Sequence, residues 1–169
     1  MQPSPVQAPV PPFVTPVVRY AGFWRRFVAH LIDQFIMGIV AFMLFIPGLA
    51  MLGIGIGAGF SEDSPSAIGF ILAAIAAYLT AILVILVLQW LYFALMESSN
   101  KQATLGKLAL GIIVTDLSGG RISFGRASGR YFGKIISGLI LYIGFIMAGF
   151  TDRKQALHDI MASCLVVMK

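Results

Sequence analysis

The sequence predicts an all-α integral membrane protein, and three observations lead to this fold class. Of its 169 residues, 59% are hydrophobic and only 11% are charged, whereas a soluble domain usually carries about 25% charged residues. Residues 24–46 and 68–96 form two apolar stretches, each long enough to cross ~30 Å of hydrocarbon as a helix. The charged residues cluster at the flanks of these stretches. Most of the protein surface is therefore expected to face lipid.

The composition also excludes several classes of function. The net charge of +5 could suggest nucleic-acid binding, but a basic recognition face needs a water-exposed fold, so no nucleic-acid partner is expected. Cys164 is the one cysteine and has no neighbour at metal-site spacing, so neither a metal nor another cofactor is expected. The first basic residue, Arg19, precedes the first apolar stretch, which is therefore expected to be retained rather than cleaved as a signal peptide.

Residues 1–18 form a segment of their own. They contain six of the eight prolines and no charged residue. Such a segment cannot build a packed core, so it is predicted to be a disordered or polyproline-II tail in the cytoplasm. The remaining residues, 19–169, are predicted to form one transmembrane domain.

The first predicted span, residues 24–46, is closed by Pro47 and Gly48. Residues 47–67 contain alternating glycines and an acidic, proline-containing stretch, which predicts a loop. The second predicted span, residues 68–96, is 29 residues long without a charge. A helix of that length is expected to tilt or to extend beyond the hydrocarbon core.

Residues 98–130 differ from the spans because they are rich in lysine and arginine. Residues 104–111 suggest a short interfacial helix with one basic side. Residues 112–116 and 121–124 flank a Leu-Ser-Gly-Gly sequence, a pattern that predicts a β-hairpin. An open hairpin cannot leave its backbone groups unpaired in lipid. The hairpin is therefore expected in water, at the cytoplasmic face of the membrane.

The third apolar segment, residues 131–150, has two alternative interpretations. Its apolar part, residues 135–150, is slightly favoured as a single span, because 16 residues are few for two passes. A re-entrant hairpin would instead return the C-terminal residues to the cytoplasm. Arg126, Arg130 and Lys134 precede it at helical spacing and are expected to snorkel to lipid head groups.

The distribution of lysine and arginine predicts the orientation. Residues 47–67 contain neither, whereas the segments before the first span and after the second are basic. Because basic loops stay in the cytoplasm, the N-terminus is predicted inside and residues 47–67 outside. The lipid bilayer concerned is expected to be an inner or plasma membrane.

The first span carries a polar stripe formed by Arg26, His30 and Asp33, which share one helix face. Asp33 lies ~13.5 Å beyond Trp24 along the helix, near the middle of the membrane. A carboxylate at that depth costs ~2.5–3.5 kcal/mol, so it is expected to face a protein interior, a water cavity or a cation. His30 can bridge the other two residues, although a packing role is favoured. Otherwise the partners must come from another helix, and the candidates in the second span are Gln89, Tyr78 and Thr80.

Several motifs, taken together and in order, resemble the RDD family of membrane proteins. They are YAGFWRR at 20–26 with Ala29 and Asp33, ATLGK at 103–107, VTD at 114–116, GGR at 119–121, SFGR at 123–126 and QALHD at 155–159. The resemblance extends from residue 20 to residue 168. It implies that Arg26 starts the first helix, that Asp33 lies inside it, and that a second aspartate, Asp116 or Asp159, is also important. Both of these aspartates also have a structural interpretation, Asp116 in a turn and Asp159 at the start of a short element.

Two functions follow as hypotheses. The resemblance implies transport of small ligands or ions, and a titratable Asp33 in mid-membrane favours cation/proton exchange. A chain with so few spans would need a homo-oligomer or a partner membrane protein to enclose a path. The alternative is a non-catalytic scaffold or assembly factor, in which the polar stripe pairs helices. An enzyme is not expected, because the sequence offers no nucleophile–base pair, metal set or paired carboxylates.

Overall fold

The computed structural model describes residues 18–59, 66–139 and 143–169. The predicted proline-rich tail lies outside these residues. Two long helices, α1 (Phe23–Gly59) and α2 (Ser66–Ser98), dominate the structure. They run antiparallel, because Gln34 of α1 contacts Gln89 near the end of α2, whereas Phe45 contacts Tyr78 nearer its start. The predicted mostly helical fold is confirmed.

Helix α1 is longer than the predicted first span. It continues through Pro47, and the glycines that the sequence places in a loop lie inside the helix. Proline is tolerated in an apolar helix because lipid offers the backbone no alternative partners, so the helical hydrogen bonds are kept wherever they can form. Gly55 permits a close approach to α2, since a Cβ there would lie 2.9 Å from that of Phe70. The acidic part of the predicted external loop, residues 60–65, lies outside the described residues.

The remaining elements gather where α1 begins and α2 ends, which we call the charged end. A short helix, α3 (Leu105–Ala109), follows α2 and precedes strand β1 (Ile112–Asp116). The predicted short helix is therefore present, although its basic residue, Lys107, is buried. At the C-terminus, helix α6 (Leu157–Met161) leads into strand β2 (Cys164–Met168).

The predicted hairpin within residues 112–124 is wrong in its second strand. Strand β1 pairs antiparallel with β2, with Ile112 opposite Met168 and Asp116 opposite Cys164. Residues 121–123 are not strand, and Phe124 already begins helix α4 (Phe124–Leu139). The other edge of β2 bonds to the chain before α1, where Tyr20 bridges to Val167. The small sheet thus joins three distant segments of the sequence, with a core that includes Ile112, Val114 and Val166.

The third apolar segment is a bent helical pair. Helix α4 (Phe124–Leu139) and helix α5 (Ile143–Ile146), which a 3-10 turn (Met147–Gly149) extends, lie at 118° to each other. The chain then reaches β2, beside the start of α1. The segment therefore enters and leaves at the charged end. This arrangement favours the re-entrant alternative over a single span.

Within the described residues, Phe23–Gly57 and Ile68–Ser98 are each long and apolar enough to cross a membrane, and the bent pair after β1 would be a third span if it crosses as one unit. Their surfaces carry many exposed large apolar side chains, such as Phe35, Phe42 and Leu83, each more than 60% exposed. Such a surface would be unfavourable in water and suits the hydrocarbon of a bilayer. The predicted membrane environment is confirmed.

Candidate functional site

The polar stripe of α1 lies at the charged end, and its Asp33 faces the protein interior. Arg26, His30 and Asp33 line one cavity, although their side chains take part in different interactions. Arg26 forms an ion pair with Asp159 of α6. Asp33 contacts α2 and α3 instead. The ring of His30 lies 6.3 Å from that of Phe93, and no hydrogen bond links it to Arg26 or Asp33 within the described part of the chain. The contacts of His30 thus agree with packing rather than bridging.

Asp33 is fully buried and accepts three hydrogen bonds from uncharged donors. Its Oδ2 accepts from the Thr104 hydroxyl at 2.6 Å. Its Oδ1 accepts from the Tyr92 hydroxyl at 2.7 Å and from the Gly106 N–H at 2.8 Å. Tyr92 also accepts the Leu105 N–H at 3.0 Å. These donors include backbone N–H groups in the first turn of α3, which otherwise lack helical partners. Asp33 therefore anchors α3 to α1.

Gly106 makes this anchoring possible. A Cβ at this position would lie 2.1 Å from the carbonyl oxygen of Ala29 and 3.0 Å from Cγ of Asp33. The backbones of α1 and α3 thus approach more closely than any side chain would permit. This contact explains the glycine in the ATLGK sequence.

A buried ion network lies beside Asp33 and connects five helices. Arg130 of α4 donates to Glu97 of α2 at 2.6 Å and to Asp159 of α6 at 2.5 Å. Glu97 also accepts from the Lys107 ammonium of α3 at 2.5 Å. Asp159 also accepts from Arg26 of α1 and from the backbone N–H of Ala156. Buried charges are stable only when they are paired and hydrogen-bonded in this way.

The protonation states follow from burial and from these pairs. Burial lowers the pKa of the Lys107 ammonium to about 7, although the adjacent Glu97 carboxylate opposes the shift. Burial alone would raise the pKa of Asp159, but Arg130, His158 and Arg26 hold it well below its usual range. Burial lowers the pKa of His158 to about 3, so this imidazole is neutral at physiological pH.

Beside the network lies a cavity of about 300 Å³, which we call the cationic cavity. Its charged and aromatic lining residues are Arg26, Lys107, Arg130, Lys134, Asp33, Phe23, Phe27, Phe93 and Phe145. Glu97 and Asp159 do not line it. The cations therefore stand between their carboxylate partners and the cavity. With Lys107 protonated, four cations and three carboxylates give the cavity and its network together a net charge of +1.

Two cationic groups at the cavity have hydrogen-bonding capacity left over. The Nη2 atom of Arg26 is buried and makes no hydrogen bond within the described residues. The ammonium of Lys134 lies 3.6 Å from Glu97, beyond hydrogen-bond length, and 4.1 Å from the centroid of the Phe93 ring. A buried donor without a partner costs about 1–3 kcal/mol. An acceptor placed in the cavity would pair with the Lys134 ammonium, whereas Nη2 of Arg26 is enclosed by protein atoms.

The structure separates the two candidate aspartates. Asp159 is fully buried and pairs with Arg26, whereas Asp116 is half-buried at the end of β1 and leads into an exposed turn. The Asp116 carboxylate accepts from the N–H groups of Ser118 and Gly120, and the Ser118 and Gly120 hydrogen bonds lower its pKa. This is the structural role that its turn sequence suggests.

Some expectations about side chains are corrected. Gln89 pairs with Gln34 rather than with Asp33, whose partner on α2 is Tyr92. Arg130 does not snorkel to head groups, since it is 1% exposed and bridges two carboxylates. Arg126, one turn earlier, is exposed.

Sequence analysis did not assign Glu97 or Lys107 to the site. The available signal was that Glu97 directly follows an uncharged stretch of 29 residues, where an interfacial position is the default interpretation. Among the described residues, no three His, Cys, Asp or Glu side chains are grouped so that they could bind a metal ion. The arrangement is suited to binding an anion.

The fold and the site together define a helical membrane protein with a buried ion network at one end of two candidate spans. The sequence profile of the RDD family matches residues 20–163. The chain belongs to the RDD family. It is 37% identical over 151 residues to the Bacillus subtilis protein YxaI, covering 88% of this chain and 97% of that protein. It is 31% identical over 154 residues to the B. subtilis membrane protein YteJ, covering 88% and 80%. No solved structure matches the chain.

Proposed function

We propose that the chain is a membrane component that binds, and takes part in transporting, a small anionic ligand. One observation carries this proposal: four cations line the cavity, while two of the three nearby carboxylates lie behind them. The Lys134 ammonium, which lines the cavity and lies beyond hydrogen-bond length from Glu97, supplies a donor. An anion would accept from this donor and offset the excess positive charge.

The contacts of Asp33 count against the alternative of cation/proton exchange. Both carboxylate oxygens already accept hydrogen bonds, two on Oδ1 and one on Oδ2. A cation bound there would have to displace donors that hold α3 in place. The neighbouring groups Lys107 and Arg130 would also repel it.

Ligand-induced stabilisation of the purified protein in detergent tests the proposal. Sodium sulfate should raise the melting temperature above that in sodium chloride at equal ionic strength, because a ligand that binds only the folded state stabilises it. Lys134→Gln should remove most of this difference. Lys101→Gln, which changes an exposed lysine outside the cavity, should keep it.

The same preparation separates the alternatives. Sulfate without a specific effect would contradict anion binding. Flux of Na⁺, K⁺ or H⁺ into proteoliposomes that Asp33→Asn abolishes, while this variant still inserts and folds, would favour the exchanger. If neither ligand binding nor flux occurs, the scaffold hypothesis is favoured, since Asp33 then serves to join helices.

We also propose that the charged end lies in the cytoplasm. All twelve Lys and Arg of the chain belong to the segments that meet there, and residues 47–67 contain none. In a background with Cys164→Ser, an impermeant thiol reagent applied outside should label a cysteine at position 64. It should not label cysteines at positions 118 or 155. If positions 64 and 155 are both labelled but position 118 is not, the third segment crosses the membrane as a single span. If only position 118 is labelled, the orientation is the reverse of the one proposed.

A further inference from the structure

The cationic cavity combines charge with an apolar wall. The lining contains the aromatic rings of Phe23, Phe27 and Phe145 as well as the cations. Further apolar side chains, such as Ile146, complete it. An inorganic anion would interact with the cationic part of the lining alone. A ligand with a charged head and an apolar body would contact both parts of the lining.

The apolar wall reaches the surface of the protein that faces lipid. Phe27 of α1 is 42% exposed and Ile146 of α5 is 46% exposed, although both line the cavity. A shallow groove shares Phe23 and Ile146 with the cavity and continues past Phe150 to Lys154. The cavity therefore adjoins an apolar path along the outside of α1 and α5.

The depth of the cavity suits a lipid head group. Arg26 lies three residues after the start of α1, ~4.5 Å along the helix axis. The neighbouring Trp24 is 73% exposed, as expected for an aromatic residue at the membrane interface. The donors of the cavity thus lie near the level at which phosphate groups of a bilayer are found.

We propose that the ligand is a phospholipid with an anionic phosphodiester head group, which enters the cavity sideways between α1 and α5. The phosphate accepts from Lys134 and lies beside Arg26, and the glycerol and upper acyl chains lie along Phe27 and Ile146. This inference rests on the proposed anion binding and specifies its ligand.

The test measures lipid binding to the detergent-solubilised protein, by native mass spectrometry and by thermal shift, with phosphatidylglycerol and phosphatidylcholine of identical acyl chains. Phosphatidylglycerol should bind about tenfold more tightly, because the choline cation of phosphatidylcholine offsets its phosphate charge and is repelled by the cations of the cavity. Lys134→Gln should remove the preference. Phe27→Ala should weaken phosphatidylglycerol binding several-fold while keeping the effect of sulfate.

Phe35→Ala is the matched control for Phe27→Ala. Phe35 lies on α1, is 73% exposed and does not line the cavity, so its removal should leave lipid binding unchanged. Equal binding of the two lipids, or equal effects of Phe27→Ala and Phe35→Ala, would overturn the lipid inference. If sulfate still stabilises the protein in that case, anion binding stands without the lipid. If sulfate has no effect either, both proposals fail.

Discussion

The substitution Gly106→Ala tests whether the contact between α1 and α3 is as close as the structure indicates. The added Cβ would lie 2.1 Å from the Ala29 carbonyl oxygen, and an ordinary contact begins near 3.4 Å. The two backbones would therefore have to separate by about 1.3 Å. If α3 moved directly away from α1 by this amount, the distance from the Gly106 nitrogen to Oδ1 of Asp33 would increase from 2.8 Å to about 4.1 Å. The hydrogen bond would then be broken.

The energetic cost follows from the donors that Asp33 loses. A hydrogen bond to a charged group contributes about 1.5–3 kcal/mol, and the displacement would also stretch the bond from Thr104. Losing both costs about 3–6 kcal/mol. The higher helix propensity of alanine recovers about 1 kcal/mol at most. We therefore expect Gly106→Ala to lower the free energy of unfolding by about 2–5 kcal/mol, a large part of the stability of a typical domain.

The assay is unfolding in mixed detergent micelles, followed by tryptophan fluorescence, with Gly129→Ala as the matched control. Gly129 lies exposed in α4, and a Cβ there would meet no atom within 4 Å. Its replacement should therefore stabilise the protein by about 0.5–1 kcal/mol. If Gly106→Ala is as stable as Gly129→Ala, α3 is not held against α1 in the way described, and the anchoring role of Asp33 is refuted.

Three further predictions concern the charged end. Gly119, in the turn after Asp116, has a φ of +86°, which is unfavourable for residues with a side chain. Gly119→Val should therefore lower the free energy of unfolding by about 1–2 kcal/mol, and unchanged stability would contradict this. Arg130→Lys should destabilise the protein by about 3 kcal/mol or more, because one ammonium cannot reach both carboxylates; the exposed Arg126→Lys should unfold like the wild type. The pKa of Lys107 is about 7 in the folded state and 10.5 ordinarily. Between pH 7 and 10.5 the unfolded chain therefore binds more protons at this group than the folded chain does. The free energy of unfolding should rise with pH in this range, by up to ~1.4 kcal/mol per pH unit from this group. Lys107→Met should flatten that rise in pH-dependent unfolding curves, and an equally steep curve would contradict the assignment.

The spans and the polar stripe could be predicted because both depend on local sequence. Hydrophobic length alone identifies a membrane helix, and helical spacing alone places Arg26, His30 and Asp33 on one face. The end of α1 was mispredicted because Pro47 and the glycines after it are loop signals in water. In an apolar environment the same residues stay helical, since the backbone has no other partners.

The pairing of the sheet could not be predicted from local rules. A glycine-rich turn after β1 indicates a hairpin, and the turn itself is present, with Gly120 accepting the Asp116 N–H and contacting the Asp116 carboxylate. The following chain leaves the sheet because Ser123 begins the first turn of α4, where it accepts the N–H groups of Arg126 and Ala127. The actual partner, β2, lies about fifty residues further on. Its selection depends on tertiary packing.

The cationic cavity also arises from tertiary packing, and its sign has a geometric origin. Glu97 and Asp159 are far apart in sequence, and each by itself looks like an ordinary residue at the flank of an apolar segment. Arg130 brings them together because its planar guanidinium can donate to two carboxylates at once. The carboxylates then lie on the far side of this cation, and Arg26, Lys107 and Arg130 occupy the side that faces the cavity. A network assembled to keep buried charges paired therefore presents positive charge to its surroundings, which is the property that the proposed ligand would use.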